Sequence, residues 1–212
     1  MAEPLRAPRG PGVGSLAAAL DAAADAAAAQ QALVLVEGPS DKAAVETLAR
    51  RRGRDLAAEG VLVVDTGGVT NIGHFLDRLA PLAHRLTLAG LCDEAEVRFV
   101  AGGLERAGYG RDLDRHDLAD LGFFVCVTDL EDELIRAVGV REVERVVEEQ
   151  RELGSLRVFQ NQVAQRDRRP EAQLHRFLGT RSMRKIRYAA LLVEAVDLER
   201  VPRPLADLLD RV

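Results

Sequence analysis

Four short apolar runs, separated by segments with helical patterning, are the feature that most constrains the fold of this chain. The runs occupy residues 32–36, 61–64, 86–92 and 123–127. Short apolar runs that alternate with helical segments are typical of parallel strands joined by crossover helices. The pattern predicts an α/β fold, with a mostly parallel four-stranded sheet flanked by helices.

Each of these runs ends at acidic residues. Glu37, Asp65 and Asp93 follow the first three runs directly, and Asp129 follows the fourth after Thr128. Ligands of open parallel sheets bind just outside the carboxyl ends of the strands, where these side chains meet. The sequence therefore predicts a functional site at this edge of the sheet.

Strand patterns nearly disappear beyond Leu134, and helical patterns replace them. The helical patterns cover residues 140–153, 155–165, 170–178 and 182–196. We therefore divide the chain into three parts. These are a disordered tail followed by an alanine-rich helix (1–30), an α/β domain (31–135) and a helical C-terminal region with a basic segment (136–212).

Composition excludes several classes of protein. The chain has 212 residues, 47% of them hydrophobic, which suits one main core. It has no long uncharged apolar run, so we expect a cytoplasmic protein without a membrane span or a signal peptide. Its net charge of −5 argues against indiscriminate coating of nucleic acid. Cys92 and Cys126 lie in apolar runs and are predicted to serve packing.

The acids at the strand ends are suited to hold a divalent cation. Mg²⁺ prefers carboxylate oxygens and keeps sites for water and substrate phosphate. Helix capping is the alternative, but a cap needs one acid per helix and does not explain the acids at positions 129 to 133. The predicted ligands are Glu37, Asp41, Asp93, Asp129 and Glu131, with Glu96 as second choice and Glu94 expected in solvent. Two cations about 4 Å apart at such a site can assist phosphoryl displacement.

Positive charge concentrates in the last quarter of the chain. Arg184, Lys185 and Arg187 would lie in the first turn of a helix, where cations oppose the helix dipole. This placement favours a partner, either a phosphate or the acidic cluster, over a solvated helical face. With Arg181, these residues form the predicted nucleic-acid surface. Lys42 and Lys185 are the only lysines, and neither lies in a Walker A loop. The four histidines show no ligand spacing and are assigned to the surface or to packing; they are His74, His84, His116 and His175.

The motifs resemble a known family. The segment Leu35-Val36-Glu37-Gly38-Pro39-Ser40-Asp41, followed by an acidic turn at Asp93 and by Asp129-Leu130-Glu131, is similar to the Toprim domain. Topoisomerases, bacterial primases, small ribosomal RNA maturation nucleases and overcoming-lysogenization-defect (OLD) nucleases share this domain. The resemblance covers residues 32 to 134. It is strongest to OLD nucleases, because of the Thr128-Asp129-Leu130-Glu131 motif and the downstream Gly179-x-x-x-x-Arg184-Lys185-x-x-Tyr188-Ala189 segment.

The resemblance implies a nuclease that cleaves DNA by a two-metal mechanism with Mg²⁺ or Mn²⁺. It makes the acids named above metal ligands, Glu37 and Lys185 catalytic groups, and Thr128 a minor participant. RNA is the alternative substrate, and a homodimer is compatible with the sequence. The second motif departs from the usual Asp-x-Asp, since Asp93 is followed by Glu94, Ala95 and Glu96. OLD proteins also carry an ATPase domain that this chain lacks, which implies a free-standing nuclease or one with a separate ATPase partner.

Other functions fit the sequence less well. A topoisomerase needs a tyrosine nucleophile, and only Tyr109 and Tyr188 exist, without domains for strand passage. A non-catalytic Toprim module that binds nucleic acid or protein would do better without so many acids. A phosphorylated receiver domain would leave Glu37-Gly38 and the basic helix unexplained.

Overall fold

Four parallel strands form the centre of the molecule. The computed structural model describes residues 31–82 and 85–212, together with residues 16, 20, 21, 23–25 and 29. The strands are β1 (Ala32–Val36), β2 (Val61–Asp65), β3 (Thr87–Asp93) and β4 (Phe123–Cys126). They form one sheet in the order β2-β1-β3-β4, with every pairing parallel. The predicted four-stranded parallel sheet is confirmed, and each strand lies within one residue of its predicted bounds.

Helices connect the strands and then continue to the C-terminus. The helices between strands are α1 (Pro39–Arg51), α2 (Ile72–Leu79), α3 (Val97–Arg106) and α4 (Arg115–Asp120). After β4 come α5 (Leu130–Val138), α6 (Val140–Glu149), α7 (Leu153–Gln160), α8 (Pro170–Leu178), α9 (Ser182–Ala195) and α10 (Arg203–Arg211). Short 3₁₀ turns lie at Val69–Asn71, Ala80–Leu82, Glu94–Glu96 and Leu198–Arg200. The predicted all-helical C-terminal portion is confirmed.

The two faces of the sheet are covered by different helices. Side chains alternate along β1, so that Leu33 and Leu35 pack with α2, α3 and α4, whereas Val34 and Val36 pack with α1 and the C-terminal helices. This period of two is expected of a strand buried on both sides. Helix α9 lies directly against α1 in the second layer. The C-terminal helices therefore share a core with the helix that follows the first acidic motif.

The helix boundaries differ from prediction in three places. The predicted helix 140–153 ends at Glu149, because Arg151 adopts a left-handed conformation with φ of 58°. The next helix spans Leu153–Gln160 instead of 155–165, and α10 has no counterpart among the predicted segments. Of the predicted alanine-rich helix, the described residues 16, 20, 21 and 23–25 are helical, whereas the predicted disordered tail lies outside the described residues. No helix in the described part of the chain is long and apolar enough to span a bilayer.

Candidate metal centre

The turn between β1 and α1 presents the first two acids. Glu37 follows the last residue of β1, and Gly38 is extended before Pro39 opens the helix. Proline suits this position because the first helical amides need no partner within the helix. A carboxylate oxygen of Asp41 accepts a hydrogen bond from the Gly38 amide at 3.0 Å. Asp41 is therefore a helix cap as well as a member of the acidic cluster.

The turn after β3 brings two further acids to Glu37. Asp93 ends the strand, and the 3₁₀ turn that follows folds Glu96 back, so that its Oε2 lies 3.4 Å from the Asp93 amide. Ligand oxygens of Glu37, Asp93 and Glu96 all lie within 4.8 Å of one another, and they form the only such group of three in the described part of the chain. Glu94 points elsewhere and pairs with Arg115 at 3.5 Å. The structure thus groups Glu96, and not Glu94, with Asp93.

Burial, together with crowding of negative charge, raises the pKa values of these acids. Burial, with repulsion from Glu96 and Asp129, raises the pKa of Asp93 to about 8. Burial and repulsion from Glu131 raise the pKa of Asp41 to about 7. The pKa of Glu96 is also raised, by burial and by the nearby Glu37. A bound cation would relieve this repulsion, so the cluster has the electrostatics of a cation site.

The turn after β4 presents the third acidic motif. Thr128 is exposed and has a φ of 70°, an uncommon conformation for a β-branched residue. Asp129 then caps α5, with Oδ1 accepting from the Asp132 amide at 2.8 Å. Its Oδ2 lies 2.6 Å from Nε2 of His175 on α8. Burial alone would raise the pKa of Asp129, but the hydrogen bonds from His175 and from the Asp132 amide outweigh burial, and the pKa is lowered.

The contact of His175 with Asp129 was not foreseen from the sequence. The histidines are assigned to the surface or to packing, and this one packs between two helices with its imidazole on a predicted metal ligand. The two residues are separated by 46 positions and lie on different helices. Its spacing along the chain carries no signal, since the contact depends on how α8 packs against α5.

Glu131 and Lys185 form the inner wall of the site. The Glu131 side chain is 5% exposed, and its Oε2 lies 3.2 Å from Nζ of Lys185. Neither Glu131 oxygen accepts a well-directed hydrogen bond from any described residue. Burial would lower the pKa of Lys185, but the carboxylates of Glu131 and Asp41 raise it overall. The ammonium group of Lys185 is therefore directed at the acidic cluster. The acidic cluster was one of the two partners expected for the basic helix.

The basic residues of the predicted nucleic-acid surface have different surroundings in the structure. The Arg184 side chain is 10% exposed, lies 3.2 Å from Glu152 and stacks on the Phe177 ring. Arg187 also pairs with Glu152, at 3.0 Å, while Arg181 is exposed. The prediction that Arg184 contacts nucleic acid does not fit this position, because its guanidinium is engaged inside the protein. Only Lys185 of this segment faces the acids.

The remaining expectations concern packing. Cys92 and Cys126 are buried free thiols, as the packing prediction requires. Asp65, the acid at the end of β2, accepts a hydrogen bond from the Gly67 amide at 2.9 Å. It thus stabilises its own turn and is not one of the three grouped acids.

Comparison with known proteins supports the resemblance seen in the motifs. Residues 30–93 match the family model described as "Overcoming lysogenization defect protein-like, TOPRIM domain". Among curated proteins, none matches the sequence significantly.

Solved structures share the fold over most of the chain. The C-terminal region of the Xanthomonas campestris pv. campestris OLD protein aligns with a TM-score of 0.62 and 24% identity, covering 86% of this chain and 94% of that one. The C-terminal region of the Burkholderia pseudomallei OLD protein aligns with a TM-score of 0.63 and 19% identity, covering 86% of this chain and 96% of that one. At these identities the likeness establishes the fold.

Proposed function

Because this chain carries an OLD-like Toprim domain, we propose that it is a divalent-metal-dependent nuclease that hydrolyses phosphodiester bonds of DNA. The observation that carries the proposal is the grouping of Glu37, Asp93 and Glu96 within 4.8 Å, at the sheet edge to which α9 delivers Lys185. An acidic cluster alone could hold a cation for stability. A lysine directed into the same cluster adds the means to bind a phosphate.

The residues fit Mg²⁺ or Mn²⁺. Both ions favour oxygen donors, and every grouped residue is a carboxylate. The two oxygens of buried Glu131 have no well-directed hydrogen bond among the described residues, which is costly for a buried charge unless a further cation compensates it. Burial and the neighbouring carboxylates raise the pKa of Asp93, and a bound cation would favour its ionised form.

Two ions are part of the proposal. Glu37, Asp93 and Glu96 would hold one ion, and Asp41, Asp129 and Glu131 would hold the other. The grouping within 4.8 Å supports the first set directly. The second set is supported by a shared neighbour, since the carboxylates of Glu131, Asp41 and Asp129 all raise the pKa of Lys185.

Bound cations of this kind supply an activated water and neutralise the charge of a reacting phosphate. The chain's own groups orient the substrate around them. Lys185 is 40% exposed, so its ammonium can exchange its contact with Glu131 for a phosphate oxygen and stabilise charge that develops there. The exposed Thr128 hydroxyl lies in the turn before Asp129 and has a minor role.

The test is cleavage of supercoiled plasmid by the purified protein in Mn²⁺ or Mg²⁺, with EDTA as the blank and a folded RNA as the alternative substrate. Asp93→Asn should abolish cleavage, because it removes a grouped carboxylate. Asp65→Asn is the matched control, since Asp65 also ends a strand but bonds its own turn. Cleavage by the Asp93 variant at the wild-type rate would exclude this site.

The same assay addresses the ATPase partner. We propose that the chain acts either free-standing or together with a separate ATPase. Cleavage by the purified chain alone supports the first form. Metal binding without cleavage of either substrate would point to the second form or to a non-catalytic nucleic-acid or protein binding module.

A further inference from the structure

The contact between His175 and Asp129 joins the helical C-terminal portion to the third acidic motif. Nε2 of His175 lies 2.6 Å from Oδ2 of Asp129, and both side chains are largely shielded, with 32% and 19% of their surfaces exposed. His175 lies outside the segment matched by the Toprim family model. It has no place among the predicted ligands.

The two oxygens of Asp129 are held from opposite sides. Oδ1 accepts from the Asp132 amide at 2.8 Å, and Oδ2 is held by the imidazole. The backbone is set by the left-handed turn at Thr128. Since a carboxylate oxygen can accept from two directions, Oδ2 keeps an acceptor position for a cation while the imidazole fixes its orientation.

Apolar side chains anchor α8 independently of this contact. Leu174, Phe177 and Leu178 on the same helix are almost completely buried, with exposures of 0%, 2% and 1%. These side chains belong to the core shared with α1, so the helix is held by apolar packing on either side of His175. The contact with Asp129 therefore adds a polar constraint to a helix that apolar packing already holds.

We propose that His175 is a positioning residue that orients Asp129 for cation binding, a role that rests on the proposed metal-dependent function. Hydrogen-bond partners of ligating carboxylates and histidines commonly orient the ligands of metal centres. Nε2 can donate both in the imidazolium and in the neutral tautomer protonated at that nitrogen, so the orienting contact does not require a charged ring.

Two amide variants test this role. In His175→Gln, the side-chain nitrogen is as many bonds from Cα as Nε2 is, so it can reach Asp129. In His175→Asn it is one bond closer to the backbone and falls short. Both replacements are neutral amides that differ by one methylene. A difference between them therefore reflects the length of the side chain and not its polarity. Circular dichroism and thermal melts establish that each variant is folded.

Mn²⁺ affinity, measured by calorimetry without nucleic acid, is the main measurement. We expect His175→Asn to raise the Mn²⁺ dissociation constant about ten-fold or more, and His175→Gln to stay within about three-fold of the wild type. The Mn²⁺ concentration for half-maximal cleavage should shift in parallel. Wild-type affinity in the Asn variant would overturn the proposal, and so would an equal loss in both variants, which would indicate direct ligation or a packing role.

The measurement also separates this inference from the proposed function. If the wild type binds Mn²⁺ and cleaves no nucleic acid, the nuclease function fails, while the variants still decide the role of His175. If the wild type binds no Mn²⁺, both proposals fall.

Discussion

The ammonium nitrogen of Lys185 lies 3.2 Å from Oε2 of Glu131, and this ion pair joins two helices at the candidate metal centre. Lys185 is on α9, and Glu131 is in the first turn of α5. The lysine is 40% exposed, whereas the glutamate is 5% exposed. Glu131 is thus enclosed by the protein, whereas Lys185 retains access to solvent.

Replacement of Lys185 by methionine should reduce catalysis strongly. Methionine keeps the length of the side chain but removes the charge, so cleavage should fall about 100-fold or more if the ammonium stabilises the reacting phosphate. Stability should fall by about 1–2 kcal/mol, because Glu131 would remain buried without its partner. Plasmid cleavage and urea unfolding measure the two effects.

Lys42 provides the matched control. It is the other lysine of the chain, it is 39% exposed, and it pairs with Glu46 at 3.8 Å on the surface of α1. Lys42→Met should change stability by no more than about 0.5 kcal/mol and leave cleavage unchanged. Equal losses of cleavage in the two variants would contradict a specific role for Lys185.

Neighbouring glutamates in the 3₁₀ turn after β3 should differ in their effect on metal binding. Glu96→Gln removes a carboxylate from the group that includes Glu37 and Asp93, so Mn²⁺ affinity should fall about ten-fold or more. Glu94→Gln alters a residue that pairs with Arg115 and should leave the affinity within about two-fold of wild type. Calorimetric titration of both variants tests the assignment, and the reverse order of effects would move the ligand to Glu94.

Stability of the metal-free protein should decrease as the pH rises toward 8. The folded-state pKa of Asp93 is about 8 and that of Asp41 about 7, both above the ordinary value of 3.8. Between about pH 4 and pH 8 the folded protein therefore holds more protons at these two sites than the unfolded chain does. Their contribution to stability is most favourable below the ordinary pKa and is lost as the pH rises through the folded values.

Thermal melts in EDTA between pH 5.5 and pH 8.5 measure this effect. Asp93→Asn should flatten the decline, since it removes the group with the higher pKa. Mn²⁺ should raise the melting temperature more at pH 8 than at pH 6, because ligation requires deprotonated carboxylates. A wild-type protein and an Asp93→Asn variant with the same pH dependence would show that the pKa of Asp93 is not raised.

Tyr188 should support the fold and take no part in chemistry. Its side chain is 1% exposed, and its hydroxyl donates to Glu152 at 3.0 Å. Tyr188→Phe removes a hydrogen bond to a charged group and should cost about 1.5–3 kcal/mol. Urea unfolding should show this loss, whereas cleavage at a temperature where the variant is folded should be unchanged. A variant with normal stability but no cleavage would instead support Tyr188 as a nucleophile.

The left-handed backbone conformation of Thr128 should reduce the stability of the protein. With φ at 70°, a threonine is strained where glycine would not be. Thr128→Gly should therefore be more stable than Thr128→Ala by about 1 kcal/mol in urea unfolding. Both variants lack the hydroxyl, so if it has only a minor role, both should cleave at close to the wild-type rate. A large loss confined to Ala would instead implicate the backbone of the turn.

The sequence by itself determined the sheet and the placement of the acids along it. Apolar runs of strand length are local signals in the sequence. Because strands and helices alternate, the strands are parallel, and their carboxyl ends lie at one edge of the sheet. The resemblance found in the motifs is confirmed for residues 30–93 by the family model. The individual roles of the site residues remain predictions that the experiments above address.

Only the tertiary structure decided which side chains meet across the helical layer. Arg184 and Lys185 are adjacent in the chain, yet one turns to Glu152 and the other to Glu131. The contact of His175 with Asp129 has no local signature either. The physical reason is that consecutive residues of a helix point in different directions, and their partners depend on how neighbouring helices pack through the shared apolar core. Local patterns do not encode that packing.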